Sequence, residues 1–409
     1  MKKRLKLKKE PIIILVIILI LFVLLIISCS KSKSKEEVEV FKKQTSFIES
    51  FTNSTNEGID EKTKKKIIDF FDIYYLSMKE LNEYDMRYLF NDEVSSYINQ
   101  AAMHFLVNYR LLNRNDLKLD KVKYSLNISK ITKTEDEMKV LVLEDSIFNF
   151  SFMSNIESKT YNVENTFTFK KDNNEYKLVK YDKNADFYNL IKNDISDTST
   201  IEDIKKIADD ALIAASSMID NDNNYYENIK TIPVKKCDHK YDRDAATAYA
   251  LSWITTRNPE YASFDNYGGN CQNYASQVLR SGGIPNDVGG FYRFKYYDSI
   301  PDETTNSVGR TPSWAGVSQF YSYAKYNQNA SGLCSTVDIN YYYGDKGDLV
   351  QFGYKDIWAH TSIITGSVVE NGKVIDLLTS SNTTDRENFP LSAYNYPNRR
   401  LIKIYGWND

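Results

Sequence analysis

The stretch that decides the fold of the C-terminal half reads Asn270-Cys271-Gln272-Asn273-Tyr274-Ala275-Ser276-Gln277-Val278-Leu279-Arg280-Ser281-Gly282-Gly283. Asn270 is a good helix N-cap, and two consecutive glycines are a good helix stop. Between them the apolar positions recur at helical spacing and share one face: Cys271, Tyr274, Ala275, Val278 and Leu279. The sequence therefore predicts a short buried helix with Cys271 in its first turn.

The position of Cys271 is chemically informative. The positive end of a helix dipole lowers the pKa of a thiol, and a histidine partner lowers it further, so that thiolate exists at neutral pH. Cys271 is therefore a candidate nucleophile. Buried cysteines are also common as small core residues, and this stretch alone leaves both interpretations open.

A strand pattern follows the helix. Residues 347–352 and 358–366 have the composition of strands, Asn371-Gly372 is a strong hairpin signal, and residues 373–379 form a third strand. His360, one of only three histidines, stands near the start of the second strand. A helix-starting cysteine followed by a strand-borne histidine is typical of papain-like hydrolases, in which the thiolate attacks a carbonyl and the imidazole moves the proton. A purely structural histidine is the alternative.

Several motifs in this half have the order found in a known family. Residues 241–409 resemble the putative amidase domain family, a branch of the papain-like amidohydrolases and peptidases. The matching stretches are 241–250, 257–261, 264–266, 270–277, 282–285, 313–314, 347–350 and 360–361. The resemblance implies a papain-like α+β domain with an antiparallel sheet, and hydrolysis of amide bonds by Cys271 and His360 without a cofactor.

Two positions depart from the family pattern. Asn270 stands where the family usually has Asp or a similar residue before the nucleophile, and Asn382 begins the segment 382–386 where the family tends to have histidine. The resemblance implies Asn382 as the third catalytic member, because an amide oxygen can accept the imidazole N–H. Asp376 and Asp385 are the alternatives.

The oxyanion of such a reaction needs hydrogen-bond donors. We expect the backbone N–H of Cys271 together with the side chain of Asn266 or Asn270. The substitution at Asn382 also keeps a second function open, namely a surface binding or accessory protein on a papain-like scaffold whose catalysis has decayed.

The N-terminus predicts a membrane anchor. Six of the first nine residues are basic, and Pro11 to Ile27 is an unbroken apolar run of 17 residues. Its length favours an uncleaved spanning helix over a signal peptide. However, Ile26-Ile27-Ser28-Cys29 resembles a lipoprotein signal in which Cys29 is lipidated. Both interpretations place the rest of the chain on the extracytoplasmic face of the cell membrane.

The remaining cysteines fit that location. An oxidising exterior could pair two of Cys237, Cys271 and Cys334, and Cys237 with Cys334 would leave Cys271 as a thiol. Cys237-Asp238-His239 lacks a second Cys/His pair, so no metal site is predicted. The net charge of −3 argues against a nucleic-acid partner. A cell-wall peptide is the substrate that the location suggests.

The chain divides into five parts. Residues 1–29 are the anchor or lipoprotein signal, 30–37 a spacer, 38–185 an α+β domain, 186–237 a helical connector and 238–409 the amidase-like domain. Glycine supports the division, because 15 of the 16 glycines lie at or beyond Gly268.

The N-terminal domain has its own pattern. Two helices, around residues 67–75 and 94–109, precede four strands within 123–128, 138–143, 160–170 and 176–181. By element order it resembles the cone-like α+β fold of nuclear-transport-factor-like domains. We expect it to be a spacer or docking module, in which His104 is solvated or hydrogen-bonded rather than catalytic.

Overall fold

The computed structural model describes residues 46–183, 191–192, 194–196, 198–228, 234–288, 293–296, 310–327 and 331–409. The predicted anchor with Cys29, and the spacer that follows it, lie outside these ranges. Within them, no helix has both the length and the apolar character needed to cross a membrane.

The described part of the chain is a mixed α+β structure. Its helices are α1 (Glu61–Glu80), α2 (Glu93–Asn113), α3 (Ile201–Asn228), α4 (Arg243–Ser252), α5 (Cys271–Ser281), α6 (Pro312–Ala315) and α7 (Val317–Tyr326). Its strands are β1 (Ile48–Asn53), β2 (Leu119–Lys133), β3 (Glu137–Phe150), β4 (Ser158–Asp172), β5 (Glu175–Lys183), β6 (His239–Lys240), β7 (Gly332–Val337), β8 (Leu349–Tyr354), β9 (Ile357–Glu370), β10 (Lys373–Ser381), β11 (Asp385–Pro390) and β12 (Asn398–Asn408).

The N-terminal half follows its sequence pattern. The two predicted helices are α1 and α2, and the four predicted strands lie within β2 to β5, which pair as an antiparallel meander. Asp92 caps α2, since its carboxylate accepts a hydrogen bond from the backbone N–H of Ser95 at 2.8 Å. The apolar faces of both helices pack with the meander in one core.

One sheet joins the two halves of the chain. The strand order is β1-β2-β3-β4-β11-β10-β9-β8-β12-β6, with β5 beside β4 and β7 beside β12. The junction is the pairing of β4 with β11, in which Thr160 lies opposite Arg386 and Lys159 opposite Glu387. The segment that leads from β10 into β11 is therefore fixed against the N-terminal half by backbone hydrogen bonds.

The C-terminal part of the sheet has a core on each face. Because side chains alternate along a strand, Leu349 and Ile363 face the core that α5 and α7 cover, whereas Val350 and Ile364 belong to the core shared with the N-terminal helices. The sheet therefore lies between the helix that carries Cys271 and the N-terminal helices.

The structure decides which of the three cysteines are paired. Cys237 and Cys334 are bonded, with their Cα atoms 6.1 Å apart and a separation of 97 positions in sequence. Cys334 lies on β7, and β7 and β6 both pair with β12. The bond therefore ties the segment that enters the C-terminal half to the edge of its sheet.

His104 on α2 is hydrogen-bonded, as predicted. Its Nδ1 lies 2.8 Å from a carboxylate oxygen of Glu83, and its Nε2 lies 3.3 Å from Asp209 on α3. The hydrogen bond with Glu83 is the largest effect on this imidazole and, together with Asp209, raises its pKa above 6.5 against the opposing effect of burial. The imidazole therefore bridges two helices, α2 and α3, and its protonated form is favoured.

A raised pKa makes this bridge dependent on pH. Its stabilisation is fully present below pH 6.5 and is lost as the pH rises through the raised pKa of the folded protein. We expect His104→Gln to lower the melting temperature more at pH 6 than at pH 9, measured by circular dichroism. Glu83→Gln should reproduce this pattern, and an equal loss at both pH values would contradict it.

Candidate active site

Helix α5 places Cys271 at its first position. Cys271 is buried, with 5% of its surface exposed, and is a thiol rather than part of a disulfide. The helix ends at Ser281 with Gly282 as its C-cap, as predicted, and Gly283 follows with φ +96°, a conformation that favours glycine. The location of the cysteine in the first helical turn is thus confirmed.

The prediction that the side chain of Asn270 caps this helix is wrong. Asn270 occupies the N-cap position but makes no side-chain capping bond. Its Oδ1 instead accepts hydrogen bonds from the backbone N–H of Phe264 (3.0 Å) and from Asn273 (2.8 Å). Its Nδ2 donates to Oδ1 of Asn382 at 2.7 Å. The competing partners are tertiary contacts, which the local sequence does not reveal.

The start of α5 is held by the turn after β10. Thr383 Oγ1 accepts from the backbone N–H of Asn270 at 2.6 Å, and Asn382 donates to the carbonyls of Trp253 (3.0 Å) and Ile254 (3.3 Å) beyond the end of α4. Thr383 and the following Thr384 have φ of 78° and 47°. A β-branched residue adopts this left-handed region at a cost, so the surrounding hydrogen bonds must hold the turn in place.

Both predicted alternatives to Asn382 have other partners. Both carboxylate oxygens of Asp385 accept hydrogen bonds from Arg257, at 3.1 and 3.2 Å. One of them also accepts from the backbone N–H of Thr383. Asp376 accepts from the hydroxyl and the backbone N–H of Ser392. Burial raises the pKa of both carboxyls, although these partners oppose the shift. The described contacts thus give each carboxylate a structural role.

Arg257 extends this ion-pair arrangement to the loop before α5. Its Nε donates to a carboxylate oxygen of Asp265 at 2.8 Å. Burial would raise the pKa of this carboxyl, but hydrogen bonds from Arg257 and Ser263 outweigh burial and lower the pKa. Asn266, the neighbouring oxyanion candidate, is exposed. The second oxyanion candidate, Asn270, is buried and already donates to Asn382.

His360 lies on β9, directly opposite Phe352 on β8. Its ring is 2% exposed and stacks on Phe352 and Tyr394, with centroids 6.1 and 6.5 Å away. The next residue, Thr361, points to the face that α5 covers and donates to Oε1 of Gln272 at 2.9 Å. A single hydrogen bond therefore joins the residue after Cys271 to the residue after His360.

The pairing of β9 with β10 ends close to His360. Its last pair is Ser380 with Ile363, so His360 lies three positions beyond the paired region. The turn of residues 382–384, which holds Asn270, follows the end of β10. Cys271, His360 and Asn382 thus belong to adjoining elements at one end of the sheet.

Sequence reasoning missed a polar cluster behind Cys271. Gln272 also accepts a hydrogen bond from Gln351 at 3.2 Å, and Gln351 in turn accepts from Arg400 at 2.8 Å. The Arg400 guanidinium lies 3.8 Å from the ring centroid of Trp358, and burial lowers its pKa to about 10. The sequence could have indicated this cluster, because Gln351 and Arg400 each lie in a largely apolar strand. A polar group buried in such a strand needs a hydrogen-bond partner.

The role of Asn382 can be tested by stability. In Asn382→Ala, two backbone carbonyls and the Asn270 amide lose a buried partner, and each unsatisfied buried group costs about 1–3 kcal/mol. We therefore expect the free energy of unfolding in urea to fall by about 3 kcal/mol or more. Exposed Asn266→Ala is the control and should change it by less than about 0.5 kcal/mol. An equal effect of both substitutions would contradict the structural role.

Comparison with known proteins identifies the C-terminal half. Residues 240–405 match the family model described as the putative amidase domain. No curated protein and no solved structure matches the chain. The match indicates hydrolysis of amide bonds. It confirms the resemblance that the motifs predicted, and it assigns residues 240–405 to the putative amidase domain family.

Proposed function

We propose that this protein is a cysteine hydrolase of papain-like arrangement that cleaves amide bonds with Cys271 as nucleophile and His360 as general base. The observation that carries the proposal is the hydrogen bond between Gln272 and Thr361, which links the first turn of α5 to the histidine-bearing strand. The family match supplies the bond type, since it indicates an amidase.

The position of Cys271 favours a reactive thiolate. The first N–H groups of a helix have no intrahelical acceptor, and the positive end of the dipole stabilises a negative charge there. The Asn270 side chain bonds elsewhere and makes no capping bond to this end of α5. The proton of the thiol passes to His360, and the resulting thiolate attacks the carbonyl carbon of the substrate.

The tetrahedral intermediate then needs donors for its oxyanion. We assign the backbone N–H of Cys271 and the side chain of Asn266, which is exposed. Collapse of the intermediate breaks the C–N bond, the imidazolium gives its proton to the leaving amine, and a thioester remains on Cys271. Water then attacks the thioester while His360 takes its proton, which releases the acid and restores the thiol.

Asn382 is the third member in this proposal. Its Oδ1 accepts one hydrogen bond from Asn270, and an amide oxygen has a second lone pair that can accept the imidazole N–H. The His360 ring packs on Phe352 and Tyr394 of the core opposite α5, so in this proposal the imidazole reaches the thiol around the end of the sheet, beyond the last pair of β9 with β10. Asn382 would then position both partners, since it also fixes the residue before Cys271.

The mechanism predicts the reactivity of Cys271. We expect iodoacetamide to alkylate this thiol with a rate that falls at acidic pH, measured by mass spectrometry of the Cys271 peptide. His360→Gln should shift this pH profile upward toward about 8.5, the pKa of an ordinary thiol. Cys271→Ala should lower amide hydrolysis by about 1,000-fold or more, measured on peptidoglycan and simple amides.

The matched control is Cys271→Ser, which keeps the size and polarity of the side chain but is a poor nucleophile without the thiolate. It should fold normally and be nearly inactive. A thiol that is not alkylated, with no hydrolysis by the unmodified protein, would overturn the proposal and favour a binding protein on the same scaffold.

We propose further that the chain is anchored in the cell membrane and works on its extracytoplasmic face, with a cell-wall peptide as substrate. The basic residues before the apolar run of 17 residues support this orientation. The disulfide between Cys237 and Cys334 supports an oxidising compartment.

The location is tested by thiol labelling in intact cells. Cys237 and Cys334 should react with maleimide only after reduction, whereas a variant without residues 2–27 should stay inside and label directly. Cys29→Ser distinguishes the anchors, because loss of membrane retention indicates a lipid and unchanged retention indicates a spanning helix. Direct labelling of both cysteines in the full chain would contradict the extracytoplasmic location.

A further inference from the structure

The guanidinium group of Arg400 on β12 stacks on two aromatic rings. Its carbon lies 3.5 Å from the ring centroid of Tyr321 on α7 and 3.8 Å from that of Trp358 on β9. Its Nε donates to Gln351 at 2.8 Å. The side chains of Arg400, Tyr321 and Trp358 are only partly buried. The planar cation is therefore fixed in orientation at a place that solvent still reaches.

A bulge in β9 brings Trp358 to this arginine. The register of β9 with β8 shifts between Trp358 and His360, so that Ala359 is an extra residue. Without this shift, the alternation of side chains would place Trp358 on the same face as His360. Instead Trp358 packs on Arg400, whereas His360 packs on Phe352. Strand β9 thus carries the proposed general base and one wall of the arginine site two residues apart.

Hydrogen bonds connect Arg400 to the helix of the proposed nucleophile. Gln351 accepts from Arg400 through its Oε1 and donates through its Nε2 to Gln272 at 3.2 Å. Gln272 is completely buried and directly follows Cys271. The guanidinium therefore lies on the face of the sheet that α5 and α7 cover, two hydrogen bonds from the residue after the proposed nucleophile.

The charge of Arg400 is not neutralised by a close carboxylate. Among the residues that the structure describes, none accepts a hydrogen bond from its Nη2, which is buried. Asp338 acts on the pKa of Arg400, but this carboxylate pairs with Lys325 at 2.9 Å and accepts a hydrogen bond from Tyr321. Burial lowers the pKa of Arg400 to about 10, so the group remains charged at neutral pH. A buried donor without an acceptor is costly, and a carboxylate from a ligand would satisfy it.

We propose that Arg400 is a specificity-determining residue, which binds a carboxylate of the substrate while Tyr321 and Trp358 hold its guanidinium in orientation. This inference rests on the proposed function, because it places that carboxylate near the amide bond that Cys271 attacks. With Nε bonded to Gln351, the Nη1 and Nη2 groups form the end that matches the two oxygens of a carboxylate. The preferred substrate is therefore a peptide with a carboxylate close to the scissile bond, at its C-terminus or on a side chain.

The test measures affinity labelling of Cys271 in the full chain, held in phosphatidylcholine nanodiscs. Three reagents share the iodoacetyl group. Iodoacetyl-dialanine has a C-terminal carboxylate, iodoacetyl-glutamyl-alanine amide has a side-chain carboxylate, and iodoacetyl-dialanine amide is neutral. Labelling rates are measured by mass spectrometry of the Cys271 peptide and divided by the rate of each reagent with N-acetylcysteine. We expect at least one carboxylate reagent to label about tenfold faster than the neutral one. The faster reagent identifies the source of the carboxylate.

Two variants assign the preference to this site. Arg400→Gln should remove it, and Trp358→Leu should reduce it several-fold, because the guanidinium then loses one of its stacking partners. Lys355→Gln is the matched control. It removes one positive charge from the turn between β8 and β9, where Lys355 pairs with Asp194 at 2.8 Å, and should leave the preference unchanged. If Arg400→Gln does not fold, Trp358→Leu decides.

The outcomes separate this inference from the proposed function. Equal labelling of Cys271 by the three reagents, or a preference that survives both variants, would overturn the role of Arg400 and leave the cysteine hydrolase standing. A preference that Lys355→Gln also removes would indicate general attraction of anions and would overturn the role as well. Labelling by none of the reagents would overturn the proposed function, and the role of Arg400 with it.

Discussion

The hydrogen bonds between Asn270 and the turn after β10 are the constraint on which the rest of the candidate active site depends. Asn382 and Thr383 hold Asn270 through its side chain and its backbone N–H, and Asn270 immediately precedes Cys271. The turn continues directly into β11, which pairs with β4. The first turn of α5 is thereby fixed to the sheet of both halves as well as to its own loop.

The same turn has an unfavourable backbone conformation and is held in it from both sides. Thr383 and Thr384 adopt a left-handed backbone conformation that threonine ordinarily avoids. Arg257, which bridges Asp385 and Asp265, fixes one side of the turn, and the pairing of Arg386 with Thr160 fixes the other. The carboxylates of Asp385 and Asp265 are here engaged in holding the backbone, and the amide of Asn382 lies beside the start of the helix that carries Cys271.

The sequence was a good guide wherever the chain's own periodicity carries the information. The helix that starts at Cys271, the hairpin at Asn371-Gly372 and the four-strand meander were all predicted, because each depends on local spacing and turn chemistry. The failure at Asn270 has a definite cause. A helix N-cap is a local preference worth about 1 kcal/mol, and several buried tertiary hydrogen bonds outweigh it.

The sequence by itself determined the class of this protein: an α+β chain whose C-terminal motifs, in their order, identify a putative amidase domain. Only the tertiary structure decided that a single sheet joins the two halves, that Gln272 and Thr361 connect the two candidate residues, and that Arg400 stacks on two aromatic rings. The physical reason is range. Helical and strand periods act over a few residues, whereas the β4–β11 pairing joins residues more than two hundred positions apart, which no local pattern encodes.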